Sequence, residues 1–362
     1  MSLNSRIIGL LLFSLLISGC IGFAGPEVRD DVVVTSVPEY FVGHLKEKEE
    51  LINSSILQAG DDYAALLFFT DSHWGDNRKV SPSLINHIIH STPVEDVVFG
   101  GDVITTWFSD PERAVSLGES FRQAYDRLDC NMYYLVGNHD NNSDGHPDDV
   151  QYHLSDEEVF DYLQKGMGEC IYGEYFSFYF DRPASRTRFI CLDTGRYYYS
   201  QFRDKLINTA EFLVNSLNDT PEGWRIVVLS HLWCNLDYEK PRRPYMPDFI
   251  RSITNIMDDF NAGANGVFEY GGTTLEYAFT EESSRIITCI GGHCHLDCVL
   301  YTEGGIPVIS TATDSQQTVN NESARSGTVN ESALSVFVFD YTNDEIDMIR
   351  IGRGHDLSLP IE

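Results

Sequence analysis

Five short apolar runs in this chain end alike, in a small or hydroxyl-bearing residue followed by side chains able to hold a metal ion. The endings are Thr70-Asp71-Ser72-His73, Gly100-Gly101-Asp102, Gly137-Asn138-His139-Asp140, Ser230-His231 and Gly291-Gly292-His293-Cys294-His295. Several of the runs alternate with helix-length segments. Ala65 to Phe69 precedes 79–90, Val97 to Phe99 precedes 111–128, and Met132 to Val136 precedes 155–165. That alternation predicts stacked β-α-β units. In an open α/β sheet, ligands bind beyond the carboxyl ends of the strands, where the loops diverge, so the five endings should meet along one edge.

More apolar runs supply strands: Tyr175 to Phe180, Phe189 to Leu192, Ile226 to Leu229, Ile286 to Ile290, Leu334 to Phe339 and Ile346 to Ile351. They are enough for two sheets. Residues 38–57 carry helical spacing in Phe41, Leu45, Leu51 and Ile52. The segments 141–154 and 234–285 are poor in strong periodic signals and read as a substrate-selecting rim. A short repeat, Thr318 to Ala324 against Thr328 to Ala333, reads as a surface loop, because a solenoid needs at least three copies. No Gly/Ser-rich or Pro-rich linker divides the chain. The expected organisation is a signal segment over 1–20, a tether and N-terminal helix over 21–60, and one catalytic domain over 61–355.

The chain has 362 residues and a net charge of −30, with 42% hydrophobic and 22% charged residues. This is globular composition, and its acidity disfavours long nucleic acid as a partner. Arg6 precedes an apolar run, Ile7 to Ile17, which is too short to span a bilayer core of ~30 Å. The run ends in Ile17-Ser18-Gly19-Cys20, which resembles the bacterial lipobox and makes Cys20 the expected lipidation site. The expectation is an exported protein whose only membrane contact is the lipid anchor. Beyond Cys20, the cysteines are Cys130, Cys170, Cys191, Cys234, Cys289, Cys294 and Cys298. This odd set, without a C-x-x-C pair, suggests neither a zinc ribbon nor a disulfide framework.

Side chains at i and i+2 of an extended segment point the same way, which predicts that Asp71 pairs with His73 and His293 with His295. Glycines before Asp102, Asn138 and His293 let the chain turn and bring polar atoms close to an ion. Mixed imidazole and carboxylate suit zinc, iron or manganese better than calcium. Seven candidate ligands, Asp71, His73, Asp102, Asn138, His231, His293 and His295, exceed the ~4 of one tetrahedral ion and are enough for two.

The ordered series D-x-H, G-D, G-N-H-D, a single H and G-H-x-H resembles the calcineurin-like metallophosphoesterases over roughly residues 64–310. The resemblance implies a four-layer α/β/β/α sandwich. It places Asp71, His73 and His295 on one metal and Asn138, His231 and His293 on the other, with Asp102 bridging. His139 matches a histidine beside the metals, and Asp140 matches the acid that commonly orients it. The implied activity is hydrolysis of a small phosphate monoester or diester, by attack of a metal-bridging hydroxide with two Mn, Fe or Zn ions as cofactors. His139 would offset phosphoryl charge and protonate the leaving oxygen.

Two rival readings remain at this stage. One is a phospholipid or sphingolipid phosphodiesterase working at the membrane surface, and the other is a metal-retaining binding protein without turnover. Outside the series, Cys294 should face away from the metals, and His87 and His90 read as surface or packing residues. Lys240, Arg242 and Arg243 form a basic cluster that reads as a solvated loop. Trp74, His146 and Tyr197 to Tyr199 are either rim residues that stack a base or sugar, or cover for the sheet.

Overall fold

The structure is a computed structural model that describes residues 33–74, 79–105, 107–146, 148–173, 176–198, 205–237, 243–280, 284–315 and 325–361. The side chains of Tyr197 and Tyr198 are not among them. Cys20 with its lipobox, Tyr199, Lys240, Arg242 and the first repeat copy lie outside the described residues.

Two sheets stack face to face. The first has six strands in the spatial order Leu357–Pro360, Glu345–Gly352, Ala333–Asp340, Tyr63–Phe69, Asp96–Phe99 and Asn131–Tyr134. Its last three strands are mutually parallel, as the β-α-β reading requires. The second has seven, in the order Cys298–Tyr301, Pro307–Ser310, Arg285–Gly291, Arg225–Ser230, Thr187–Leu192, Phe178–Arg182 and Ile171–Tyr172. Arg225–Ser230 lies at its centre, parallel to both neighbours.

Strand alternation assigns the side chains to three apolar layers. Leu66 and Phe68 point between the sheets to meet Phe178, Phe189, Val227 and Leu229. Leu67 and Phe69 point outward, onto helices Glu39–Ala59, Ser81–Ser91 and Pro111–Tyr125. On the far side, Ile190, Ile226 and Val228 pack on helices Leu206–Asn218 and Asp248–Ala262. The architecture is a four-layer α/β/β/α sandwich. Both faces of each central strand are buried, which is why these strands read as continuous apolar runs rather than as alternating ones.

Several expectations need correction. Segment 234–285 does carry a strong periodic signal: it holds helix Asp248–Ala262, with Phe249, Ile250, Ile253, Ile256, Met257 and Phe260 buried at helical spacing. Hairpins flank that helix on both sides. The expected helix over 155–165 is α-helical only at Asp156–Val159, behind a Ser155/Glu158 capping box, and then widens to a π-turn over Phe160–Gln164. There Arg122 donates to the carbonyls of Leu163 and Lys165, and Tyr162 donates to the carbonyl of Asp140. The second repeat copy is not a solvated loop either. Glu331 and Ser332 are buried, Glu331 accepts from Tyr40, and Ala333 opens a central strand. Helix Glu39–Ala59 sends Phe41, Leu45 and Ile52 into the same core layer as the first sheet, so it is packed on the domain rather than tethered beside it. Among the described residues, no helix is long and apolar enough to cross a membrane.

Candidate metal centre

The carboxyl ends of parallel strands from both sheets open onto one edge. Tyr63–Phe69 leads to Asp71 and His73, Asp96–Phe99 to Asp102, and Asn131–Tyr134 to Asn138 and His139. From the second sheet, Arg225–Ser230 leads to His231, and Arg285–Gly291 leads to His293 and His295. Backbone bonds knit the loops together: Asp71 N–H donates to Gly101 O (2.9 Å), His73 N–H to Asp102 O (3.1 Å) and Gly292 N–H to His231 O (2.9 Å).

Two groups of ligand atoms result, and Asp102 belongs to both. Asp71, His73, Asp102 and His295 form one group, and Asp102, His231 and His293 the other, with the ligand atoms of each group within 4.8 Å of one another. Asn138 joins the second group through Oδ1, which lies 2.7 Å from His293 Nδ1 and 3.1 Å from His231 Nε2. Imidazoles are aimed by their outer nitrogens. His73 Nδ1 contacts Ile104 O (3.2 Å) and His231 Nδ1 contacts Gly100 O (2.8 Å), leaving both Nε2 atoms turned inward.

Asp71 and His73 do meet in one group, but His293 and His295 fall into different ones, and neither pair follows the expected route. Asp71, His73, Asp102, His293 and His295 all have left-handed backbone, with φ of 53°, 44°, 64°, 66° and 58°. Neither D-x-H nor H-x-H is extended. Such a conformation costs non-glycine residues roughly 1 kcal/mol or more each, and five of the seven candidate ligands adopt it. The glycines also divide by role. Gly101, at φ 95°, makes a turn. Gly137 instead allows close approach, because a Cβ there would lie 2.0 Å from Asp102 Oδ1.

Burial sets the charge states. His73 and His293 are pulled down to about 3, by desolvation first and then by neighbouring imidazoles, and so are neutral near pH 7. Neutral imidazole is the form that binds metal. For His231, burial acts downward but Asp102 outweighs it and raises the group to about 10. Burial likewise opposes ionisation of Asp71 and Asp102, yet the facing histidines hold both carboxyls below the usual range.

The donor set fits metal ions better than hydrogen bonding among its own members. His73 Nε2 and His295 Nε2 face each other at 3.2 Å. Fully buried Asp71 Oδ1 lies 3.0 Å from His295 Nε2 without the alignment of a hydrogen bond. Ring nitrogens and carboxylate oxygens thus converge on the same points, as ligands of a cation do.

His139 stands at the open side, its side chain 18% exposed against 1% for Asp102. Its Nε2 is 3.7 Å from Asp102 Oδ2. The acid facing its other nitrogen is not Asp140. The Asp140 carboxylate accepts from the backbone N–H groups of Gly137 (2.7 Å), Asp102 (3.0 Å) and Val103 (2.7 Å), tying two site loops together. All its strong acceptor directions point into the backbone, so it cannot also orient the imidazole. Asp144 faces that nitrogen instead, with Oδ2 3.5 Å from His139 Nδ1 but no hydrogen bond to it, and Oδ1 accepting from Asn138 Nδ2 at 3.3 Å. Sequence reasoning missed Asp144, although an acid six residues after Asn138 in a turn-rich segment was visible. Asp144→Asn is expected to lower kcat about tenfold while metal content stays unchanged. Steady-state kinetics beside elemental analysis checks this, and an unchanged kcat would remove Asp144 from the site.

Trp74, His146, His87 and Cys294 belong to neither ligand group. Trp74 is fully buried in the first helix layer, where its Nε1 donates to Ser120, so it is core rather than rim. His146 is exposed and stacks on Trp107 with ring centres 4.3 Å apart. His87 pairs with Glu49 between two helices. Cys294 turns away from the ligands into a small apolar cluster with Cys234 and Leu236.

No family model and no curated protein matches the chain. Among solved structures it is similar to a dimetal phosphatase from Danio rerio, at a TM-score of 0.49 and 13% identity, over 82% of this chain and 99% of that one. It is also similar to a single mutant of Vps29 from Entamoeba histolytica, at a TM-score of 0.33 and 9% identity, again over 82% and 99%. At such low identity neither assigns chemistry to this chain, which rests on its own side chains.

Proposed function

We propose that the protein is a dinuclear metal-dependent phosphoesterase of the calcineurin-like type, which hydrolyses a small phosphate monoester or diester. The observation that carries this reading is the position of Asp102, a buried carboxylate shared by two clusters of imidazole and oxygen donors. In this reading Asp71, His73 and His295 hold one Mn, Fe or Zn ion and Asn138, His231 and His293 the other, with Asp102 serving both.

Bound there, two ions would supply Lewis-acid polarisation of the phosphoryl group and a water made acidic at neutral pH. The chain's own part is positional and acid-base. His139, beside Asp102 and open to solvent, is placed to donate a proton from Nε2 to the departing oxygen and to offset charge on the phosphoryl oxygens. Asp144, with Oδ2 3.5 Å from Nδ1, is the acid that faces the far side of the ring. Asp140 keeps the Asp102 and Asn138 loops in register through the backbone.

The test is hydrolysis of bis(p-nitrophenyl) phosphate and p-nitrophenyl phosphate after loading with manganese, zinc or iron. Metal-dependent turnover of either ester supports the reading, and the diester-to-monoester ratio narrows the substrate class. Bound metal with no cleavage under any loading would sink it.

We also propose that the chain works outside the cytoplasm, held in the bacterial cell envelope by a lipid on Cys20. The Ile17-Ser18-Gly19-Cys20 sequence supports this. Expressed in a bacterium, the protein should sediment with membranes, and Cys20→Ser should release it to the soluble fraction. Equal partitioning of the two would refute the anchor.

A further inference from the structure

Three thiols gather immediately behind the metal centre. Cys234 lies three residues past His231, Cys294 sits between His293 and His295, and Cys298 opens strand Cys298–Tyr301. Cys234 Sγ is 3.2 Å from Cys294 Sγ and 3.9 Å from Cys298 Sγ, and Cys294 Sγ–H donates to the Cys234 carbonyl at 3.1 Å. Leu236, Leu296 and Leu300 surround them. Among the described residues the three sulfurs are not among the mutually adjacent ligand groups. What they share is Cys234, which can pair with either neighbour. A disulfide needs sulfurs about 2.05 Å apart, a closure of roughly 1 Å from the observed Cys234–Cys294 separation.

We propose that Cys234 and Cys294 form a disulfide, reached through Cys298, that fastens the loop carrying His231 to the loop carrying His293 and His295. Cys234 and Cys294 are buried, at 1% and 3% exposure, whereas Cys298 is only half-buried and is the least enclosed residue of the three. Cys298, whose thiol the Cys234 sulfur and then burial push upward, gives up its proton as it attacks an external disulfide, of the glutathione or oxidoreductase class, and expels one thiol. Cys234 then attacks the Cys298 sulfur of the mixed disulfide and releases the second thiol. Finally Cys294 attacks Cys234 and returns Cys298 to the thiol state. In sum, two protein thiols lose two electrons and two protons, and the external disulfide is reduced to two thiols. Disulfides persist outside the cytoplasm, so this step rests on the export reading for its setting. The bond lies behind the ligands, because Cys294 points away from them, and so braces three histidines without occupying a coordination position.

The experiment uses the full chain in mild detergent, incubated with oxidised or reduced glutathione and followed by thiol titration and peptide mapping. The oxidised protein is expected to lose two titratable thiols, to show a Cys234–Cys294 link, and to melt roughly 5 °C or more above the reduced form. Cys298→Ser should reach the same link at least about tenfold more slowly, and Cys294→Ala should stop at Cys234–Cys298. Circular dichroism confirms that the variants are folded, and the wild-type map does not depend on them. A wild-type protein that keeps all its thiols, or whose final link joins any other pair, overturns the proposal. Zinc loss to a chelator should be about tenfold slower in the oxidised form. If the link forms and zinc loss is unchanged, the bracing role is overturned. If zinc binds in neither state, it is the metal-dependent function that fails, while the link stands on its own map.

Discussion

Asp102→Asn is expected to leave a folded protein that retains neither ion and cleaves bis(p-nitrophenyl) phosphate at least about 10³-fold more slowly than the parent. Asparagine is close in shape and still offers Oδ1 to the His139 N–H, which Asp102 now accepts at 3.0 Å. It removes the negative charge and one strong acceptor at the only carboxylate both ligand groups share. Six donors would then face two cations with a single carboxylate, Asp71, between them. The imidazoles that Asp102 faces would lose their counter-charge, above all His231, which it holds up near 10. Elemental analysis after dialysis and a melting curve separate the two outcomes. An Asn variant that keeps both ions and stays within tenfold of parental activity would show that Asp102 does not bridge.

The second large effect is expected at His139. His139→Gln should keep the metals, since its ring belongs to neither ligand group, yet lower kcat about 10²- to 10³-fold. If Nε2 protonates the departing oxygen, the loss must depend on the leaving group. A phenyl ester, whose leaving oxygen is more basic, should suffer more than a p-nitrophenyl ester, which departs without help. Equal losses on both would leave His139 as an electrostatic group only, and a loss below about threefold would remove it from the reaction. Exposure alone does not divide these roles, because the candidate ligand His295 is as open to solvent as His139, at 19% against 18%, and only the leaving-group dependence separates them.

Much of this arrangement was legible in the chain because the strands that carry the site are buried on both faces. Phe69, Phe99, Leu229 and Ile290 close continuous apolar runs, and the residues after each run had to emerge at a sheet edge. Glycine before Asp102 was readable as a turn for the same elementary reason, and Gly101 does turn. The failures have equally specific causes. Helix Asp248–Ala262 has plain apolar spacing, but the short hairpin strands on either side of it are largely exposed and dilute the signal over the segment. Asp140 was assigned to His139 from its place in a motif, but backbone donors from the Asp102 loop, distant in sequence, claim its oxygens first. Asp144 acquires its role only once the Asn138-to-Gly145 turn folds back, and no local pattern announces that. The thiol cluster joins residues 60 and 64 positions apart and needs two strands to be neighbours before it exists.

The left-handed residues carry a consequence for how such a chain can change over time. Asp71, His73, Asp102, His293 and His295 occupy a backbone region where glycine is most at ease and side chains bearing Cβ are not. Substitution by glycine at these places would relax the folded backbone while removing a donor, so selection for a sturdier fold and selection for the reaction pull in opposite directions at the same positions. A lineage released from the reaction should drift toward glycine there first.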